Sequence, residues 1–175
     1  MFLDYMIFKA YRKKVKPKFI IIVFHFLILT SIAMAQNSSS TKSFAFRLKP
    51  GEDLKKEIEF FVKENNIKAA GISTCVGSLS EANIRFANQP NGKILKGYFE
   101  ILSLSGLVSI NGSHLHIAIA DKKGKTIGGH LLDGNVIYTT AEIIITELSD
   151  LEFKRALDTT YGYKELVIST HKKEK

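Results

Sequence analysis

Cysteine occurs once in the 175 residues, at Cys75, so no intrachain disulfide can staple the fold. Its apolar neighbours Ile72 and Val76 mark an inert core thiol rather than a nucleophile. The common signatures of metal and catalytic sites are also missing. There is no Cys-x-x-Cys and no His-Glu-x-x-His, and Gly128-Gly129 lacks the pattern of a phosphate-binding loop. Ser103 and Ser105 have no Asp or His nearby that would complete a triad, which argues against nucleophilic catalysis by serine. No internal repeat and no low-complexity domain is present.

Acidic residues are scarce at one end. The chain holds 25 basic and 17 acidic residues, a net charge of +8, yet residues 1–35 contain six basic side chains against the single acid Asp4. An apolar run from Phe19 to Leu29 follows this basic stretch and ends in Ala33-Met34-Ala35. A basic n-region, an apolar h-region and an Ala-x-Ala site together describe a secretory signal peptide over 1–35, and hence an exported (periplasmic or secreted) protein. An uncleaved membrane anchor is the alternative, because the run approaches the lower limit for spanning a bilayer. His25 and the small residues Ser31, Ala33 and Ala35 favour cleavage. Without this segment the remainder carries only +3, and residues 171–175 form a solvated basic tail. A surface built to track phosphates should be far more basic.

The remaining chain has the length of one domain. Residues 36–42, rich in Ser, Thr and Asn, are expected to be a flexible leader. Phe44, Phe46 and Leu48 alternate with Ser43, Ala45 and Arg47, which predicts a strand that Pro50-Gly51 breaks. Leu54, Ile58, Phe61 and Val62 have the spacing of one buried helical stripe; Glu52 and Asp53 lie in its first turn and Asn65-Asn66 closes it. Thereafter the pattern is mostly sheet. Ala69 to Val76 reads as a strand, Gly77-Ser78 as a turn, and Ala82, Ile84 and Phe86 as the next strand. Tyr98 to Ile110 is long and apolar, and Asn111-Gly112 is a strong hairpin signal because both residues tolerate positive φ. Turns at Asp121 to Gly124 and at Leu132 to Asn135 frame the following strands, with Val136 to Leu148 after them. Asp150 to Leu157 is expected as a short helix and Lys164 to Thr170 as a final strand. The fold class is α+β, an antiparallel-rich sheet with one or two packed helices.

Three histidines stand out. His114 and His116 lie at i and i+2 of a strand and therefore share a face, opposite Leu115 and Ile117. His130 follows Gly128-Gly129, where the backbone can pass close to a neighbour. Neutral imidazole is a favoured zinc ligand, and three protein ligands leave a fourth position open for water or substrate. The same residues would also suit a half-solvated sheet face. Glu100, a carboxylate in an otherwise apolar strand, is the candidate proton carrier beside them; an exposed position, or a pair with Arg85 or Arg155, is the alternative. Glu142 has similar standing. Tyr161 and Tyr163 read as packing or subunit-contact aromatics.

The run Tyr98 to Gly106, then Gly112-Ser113-His114-Leu115-His116, then Gly128-Gly129-His130-Leu131 resembles the PPC (plants and prokaryotes conserved) domain. Thr140-Ala141-Glu142, Phe153-Lys154-Arg155 and Tyr161-Gly162-Tyr163 continue the resemblance in the same order, over roughly 43–168. The resemblance implies an α/β domain with a central antiparallel sheet, assembled as a homotrimer. Bacterial members carry a DNA-binding label, and plant members join the domain to an AT-hook, whose Arg-Gly-Arg-Pro core is absent here. More distantly, the pattern is similar to acetolactate decarboxylase, in which a His-x-His pair and a later histidine hold zinc; His114, His116 and His130 match it in type and order. The expectation is an exported homotrimeric binding module with a three-histidine zinc site, open to a small anionic ligand. A DNA-binding protein, or a metal-dependent hydrolase or decarboxylase, is the alternative; nucleic acid is disfavoured after export.

Overall fold

The computed structural model describes residues 38–160 and 162–170. The expected signal segment, the basic tail and Tyr161 lie outside the described residues. Strand β1 (Thr41–Leu48) leads to helix α1 (Leu54–Glu64) and then to β2 (Ala70–Arg85), β3 (Lys93–Ser109), β4 (Gly112–Asp121) and β5 (Thr126–Leu131). Strands β6 (Val136–Leu148), β7 (Leu151–Leu157) and β8 (Lys164–Thr170) complete the described chain. The α+β expectation therefore resolves into a sheet-rich fold with α1 as the single helix among the described residues. That helix is too short to cross a membrane.

Asp53 starts α1 and also anchors it. One carboxylate oxygen accepts hydrogen bonds from the Lys55 and Lys56 amides, each at 3.1 Å, and the other accepts from the Gly134 amide at 2.6 Å. A single side chain thus caps the helix and fastens it to the loop before β6. The stripe read from the sequence is the buried one: Leu54, Ile58 and Val62 are fully enclosed against the sheet. Each such side chain contributes roughly 1.5–3 kcal/mol by burial. Phe61 extends the contact by stacking on Phe46 with ring centroids 4.2 Å apart.

Six strands form one antiparallel sheet in the order β1-β6-β2-β3-β4-β5. The far strand β5 then returns to the middle of the sheet, pairing Ile84 with Leu131 and Arg85 with His130. This closes β2 to β5 into a small barrel-like curl around Leu79, Ile84, Ile119 and Leu131, all fully buried. A side chain at position 129 would not permit the closure, since an ideal Cβ there would sit 2.6 Å from the Arg85 carbonyl oxygen.

The interval from Ala69 to Phe86 differs from expectation. In place of two strands around a Gly77-Ser78 turn, β2 runs unbroken for 16 residues. Its register against β6 shifts on both sides of Leu79 and just before Thr74, so bulges bend the strand without ending it. The helix expected over Asp150 to Leu157 is also a strand, β7, paired with β8 from Leu151–Thr170 to Leu157–Lys164. Alternation decides it: Leu151 and Phe153 are buried, whereas Lys154 between Phe153 and Arg155 is exposed, a period of two rather than 3.6. Thr41 and Lys42, expected in the leader, already pair with Leu148 and Glu147, and the Ser40 amide donates to Asp150 at 2.6 Å. The Asn111-Gly112 signal holds with a shift of one: Ile110 and Asn111 form the turn, and Ser109 pairs with Gly112.

The β7–β8 hairpin packs Leu151, Phe153 and Leu166 against Ala69, Leu107 and Leu148. The Asn111 side-chain amide donates to the Phe153 carbonyl at 2.8 Å, tying the hairpin to the β3–β4 turn. Beneath it, Gly106 has φ +136°, and a Cβ there would fall 2.0 Å from the His114 carbonyl oxygen. Gly106→Ala must therefore push β3 and β4 apart. The expected cost is about 1–3 kcal/mol in a denaturation measurement; an unchanged midpoint would refute the close approach.

Candidate metal centre

Four strands, β2 to β5, build the site. His116 on β4 stands opposite both Ser105 on β3 and His130 on β5, and His130 in turn stands opposite Arg85 on β2. The closure of the curl therefore lays Arg85, His130, His116 and Ser105 in one row across the strands. His114, two residues before His116, sits beside that row and opposite Leu107. All three imidazoles meet edge to face, with ring centroids 5.1 Å apart for His114–His116 and His114–His130, and 5.6 Å for His116–His130.

Each histidine offers one nitrogen, and these nitrogens all lie within 4.8 Å of one another. Zinc bound tetrahedrally at 2.0–2.1 Å sets its ligand nitrogens about 3.4 Å apart, a distance that small ring rotations can reach. The donor set suits such an ion in kind as well. Nδ1 of His130 is buried and has no hydrogen-bond partner, a costly state for a polar atom. Burial, reinforced by Arg85 and the neighbouring histidines, lowers the His130 pKa to about 4. His114 is lowered too, first by burial and then by His116 and Arg155, with Glu165 opposing. Both rings are thereby held in the neutral, metal-ligating form.

Charged residues from distant parts of the chain surround the trio. An open cavity of about 930 Å³ reaches His114 and His130 and is lined by Arg85, Lys154, Arg155, Lys164 and Glu165. Arg155 and Glu165 also flank His114 and His116 on the side of Ser105. Arg155 lies on the same face of β7 as Leu151 and Phe153, and packing of the hairpin aims that face at the sheet.

The three histidines singled out in the sequence are thus brought together. Glu100 is not beside them: it is exposed and opposite Ala120, five residues along β3 from the partner of His116, or about 16 Å. Among the described residues it makes no ion pair with Arg85 or Arg155. Glu142 is exposed opposite Arg47 on β1. Tyr163 lines the cavity. Cys75 is buried, which pushes its thiol up to about 12 and leaves it inert. Sequence reasoning did not assign Lys154, Lys164 and Glu165 to the site, and it saw Arg85 and Arg155 only as partners for Glu100. The single available signal was Phe153-Lys154-Arg155, a basic pair beside a buried aromatic.

The curled antiparallel sheet thus carries a His-x-His pair on β4 and a third histidine on β5. The chain belongs to the Plants and Prokaryotes Conserved (PCC) domain family, which matches residues 35–149. It is 44% identical over 131 residues to the bifunctional protein GlmU of a Synechococcus strain; the match covers 75% of this chain but only 21% of GlmU. Among solved structures, a hypothetical protein from Salmonella is 40% identical with a TM-score of 0.75, covering 77% of this chain and 97% of that one. A metal-containing protein from Archaeoglobus fulgidus is 33% identical with a TM-score of 0.67, covering 77% and 99% respectively.

The pKa shifts fix the sign of a pH effect. The unfolded chain takes up a proton at His130 near 6.5, whereas the folded chain does so only near about 4. Between these values the unfolded state holds more protons, so stability falls as pH drops through that window. The melting temperature of chelator-treated protein should decrease from pH 7 to pH 4.5, and less steeply in His130→Gln. Parallel slopes for the two proteins would contradict the assignment.

Proposed function

We propose that this protein is an exported, homotrimeric metal-binding module with zinc held by His114, His116 and His130. The observation that carries the reading is the convergence of three imidazoles from two strands, one of them with a buried nitrogen that lacks a partner. The metal-containing description of the Archaeoglobus relative supports it. Zinc held by these three nitrogens would supply a Lewis acid beside the cavity. Arg85 and Arg155 keep the surroundings of the three histidines positive.

Assembly is supported by the sheet face opposite the core. Val76, Tyr98, Leu102, Tyr138 and Ile144 are 38–63% exposed, and they alternate with the core residues Cys75, Phe99, Ile101, Ile137 and Ile143. Tyr98 and Tyr138 lie 4.4 Å apart between centroids. An apolar patch of this kind on a small domain suits burial against further copies of the chain.

Catalysis ranks below binding. A hydrolase or decarboxylase needs a carboxylate within reach of the metal position, and Glu100 is too far along its strand. Glu165 is the acid that lines the site, on the hairpin and exposed. DNA binding ranks lower still, since it would act from an exported chain with no AT-hook.

Elemental analysis of the purified protein should find close to one zinc per chain, and His116→Ala should bind it at least about tenfold more weakly. Substoichiometric metal in the parent with no loss in the variant would remove the metal reading. Light scattering should give three times the monomer mass, with intact mass reporting cleavage after Ala35. A monomer at micromolar concentration would sink the assembly.

A further inference from the structure

We infer that the cavity beside the histidines is a subsite for a polar, hydroxylated oxyanion, whose charged group is clamped between Arg85 and Arg155 next to the metal position. The inference rests on the metal-site reading and names the ligand class for it. Arg85 stands directly across from His130, while Arg155 reaches the same cavity from the hairpin and flanks His114. Two guanidinium groups therefore approach the three histidines from separate elements.

Neither guanidinium has an acidic partner within ion-pair distance among the described residues. Arg85 makes a long 3.5 Å contact to the Gln89 carbonyl. By contrast Lys154, on the same wall, is already paired with Glu152 at 3.6 Å, so the two arginines and Lys164 face the carboxylate Glu165 with an excess of positive charge. Arginine recognises carboxylate and phosphate oxyanions through two parallel hydrogen bonds.

The rest of the lining describes the body of the ligand. Asn88, Asn111, Ser113 and Tyr163 present amides and hydroxyls, and among the described residues no aliphatic side chain lines the cavity. At about 930 Å³ it exceeds what a bare inorganic anion fills and falls within the range of small-molecule sites. An apolar acid would desolvate these groups without replacing their hydrogen bonds, so an oxygen-rich body such as a sugar acid or sugar phosphate fits.

Calorimetric titration of the zinc-loaded full chain with gluconate, glucose 6-phosphate and hexanoate tests this. Gluconate or glucose 6-phosphate should bind, the stronger of the two identifying the charged group as carboxylate or phosphate, and hexanoate should bind about tenfold or more weakly. Arg85→Gln and Arg155→Gln should each weaken binding by about tenfold or more while zinc content stays at the parental level. Arg155 lies on the hairpin, so its variant reports even where the Arg85 substitution perturbs the curl. Binding of neither hydroxylated anion at millimolar concentration, unchanged affinity in both variants, or equal binding of hexanoate would overturn the proposal. So would tighter binding of a short DNA duplex that is lost in the same two variants, which would make nucleic acid the occupant. Absence of zinc from the parent would refute the metal reading alone, and gluconate binding that still depends on the two arginines would then sustain the subsite.

Discussion

Two cross-strand pairs, Ile84 with Leu131 and Arg85 with His130, bend a six-stranded sheet until its far strand meets its middle one. The site depends on that contact. Without it, β5 would be an edge strand and His130 would still face His116, but Arg85 would belong to a separate part of the surface. The closure is a steric matter before it is a chemical one. Gly129 and Gly128 let β5 lie against carbonyl oxygens on both neighbours, at Arg85 and Ile117, where a Cβ would come within 2.6 Å. Hydrophobic burial of Leu131 and Ile84 then holds the curl shut.

The closure concentrates like charge. Arg85, Arg155 and Lys164 face a group of imidazoles that would themselves become cations in acid. Burial and this positive field act in the same direction on His130 and His114, favouring loss of the proton. A metal ion placed there would add to the positive charge, so the arrangement gains most when a metal and a negatively charged group are present together. Among the described residues Glu165 is the one acid lining the cavity, and as an exposed hairpin residue it offsets only part of the field.

Much of the scaffold is legible in the residues. The stripe Leu54, Ile58, Val62 marks α1, and the apolar content of Val136 to Leu148 and of Lys164 to Thr170, set off by the turn residues before them, bounds β6 and β8. The shared face of His114 and His116 follows from strand periodicity alone. What local pattern cannot carry is the effect of distant partners. Gly77-Ser78 has the composition of a turn, yet β3 and β6 on either side supply hydrogen-bond ladders that keep the chain extended through it. Asp150 to Leu157 has few β-branched residues, and it becomes a strand because β8 pairs with it and Ala69, Leu107 and Leu148 receive its apolar face. Arg85 and Arg155 lie 70 residues apart and join the site through sheet closure and hairpin docking, neither of which leaves a spacing signal.

The hairpin has a further consequence for how such a protein can change over time. The three imidazoles sit on the curled sheet, inside the stretch matched by the domain family, whereas Arg155 and Glu165 stand on β7–β8, beyond its last matched residue at 149. That hairpin meets the sheet through a small satellite cluster of side chains and a few hydrogen bonds at the β3–β4 turn. Its residues that face the cavity are distinct from Leu151, Phe153 and Leu166, which dock it. Substitutions at positions such as 155 and 165 can therefore alter what enters the cavity while the donor set for the ion and the packing of the main core stay as they are. Ligand preference is free to drift in one part of the chain under a constraint that applies only to the other.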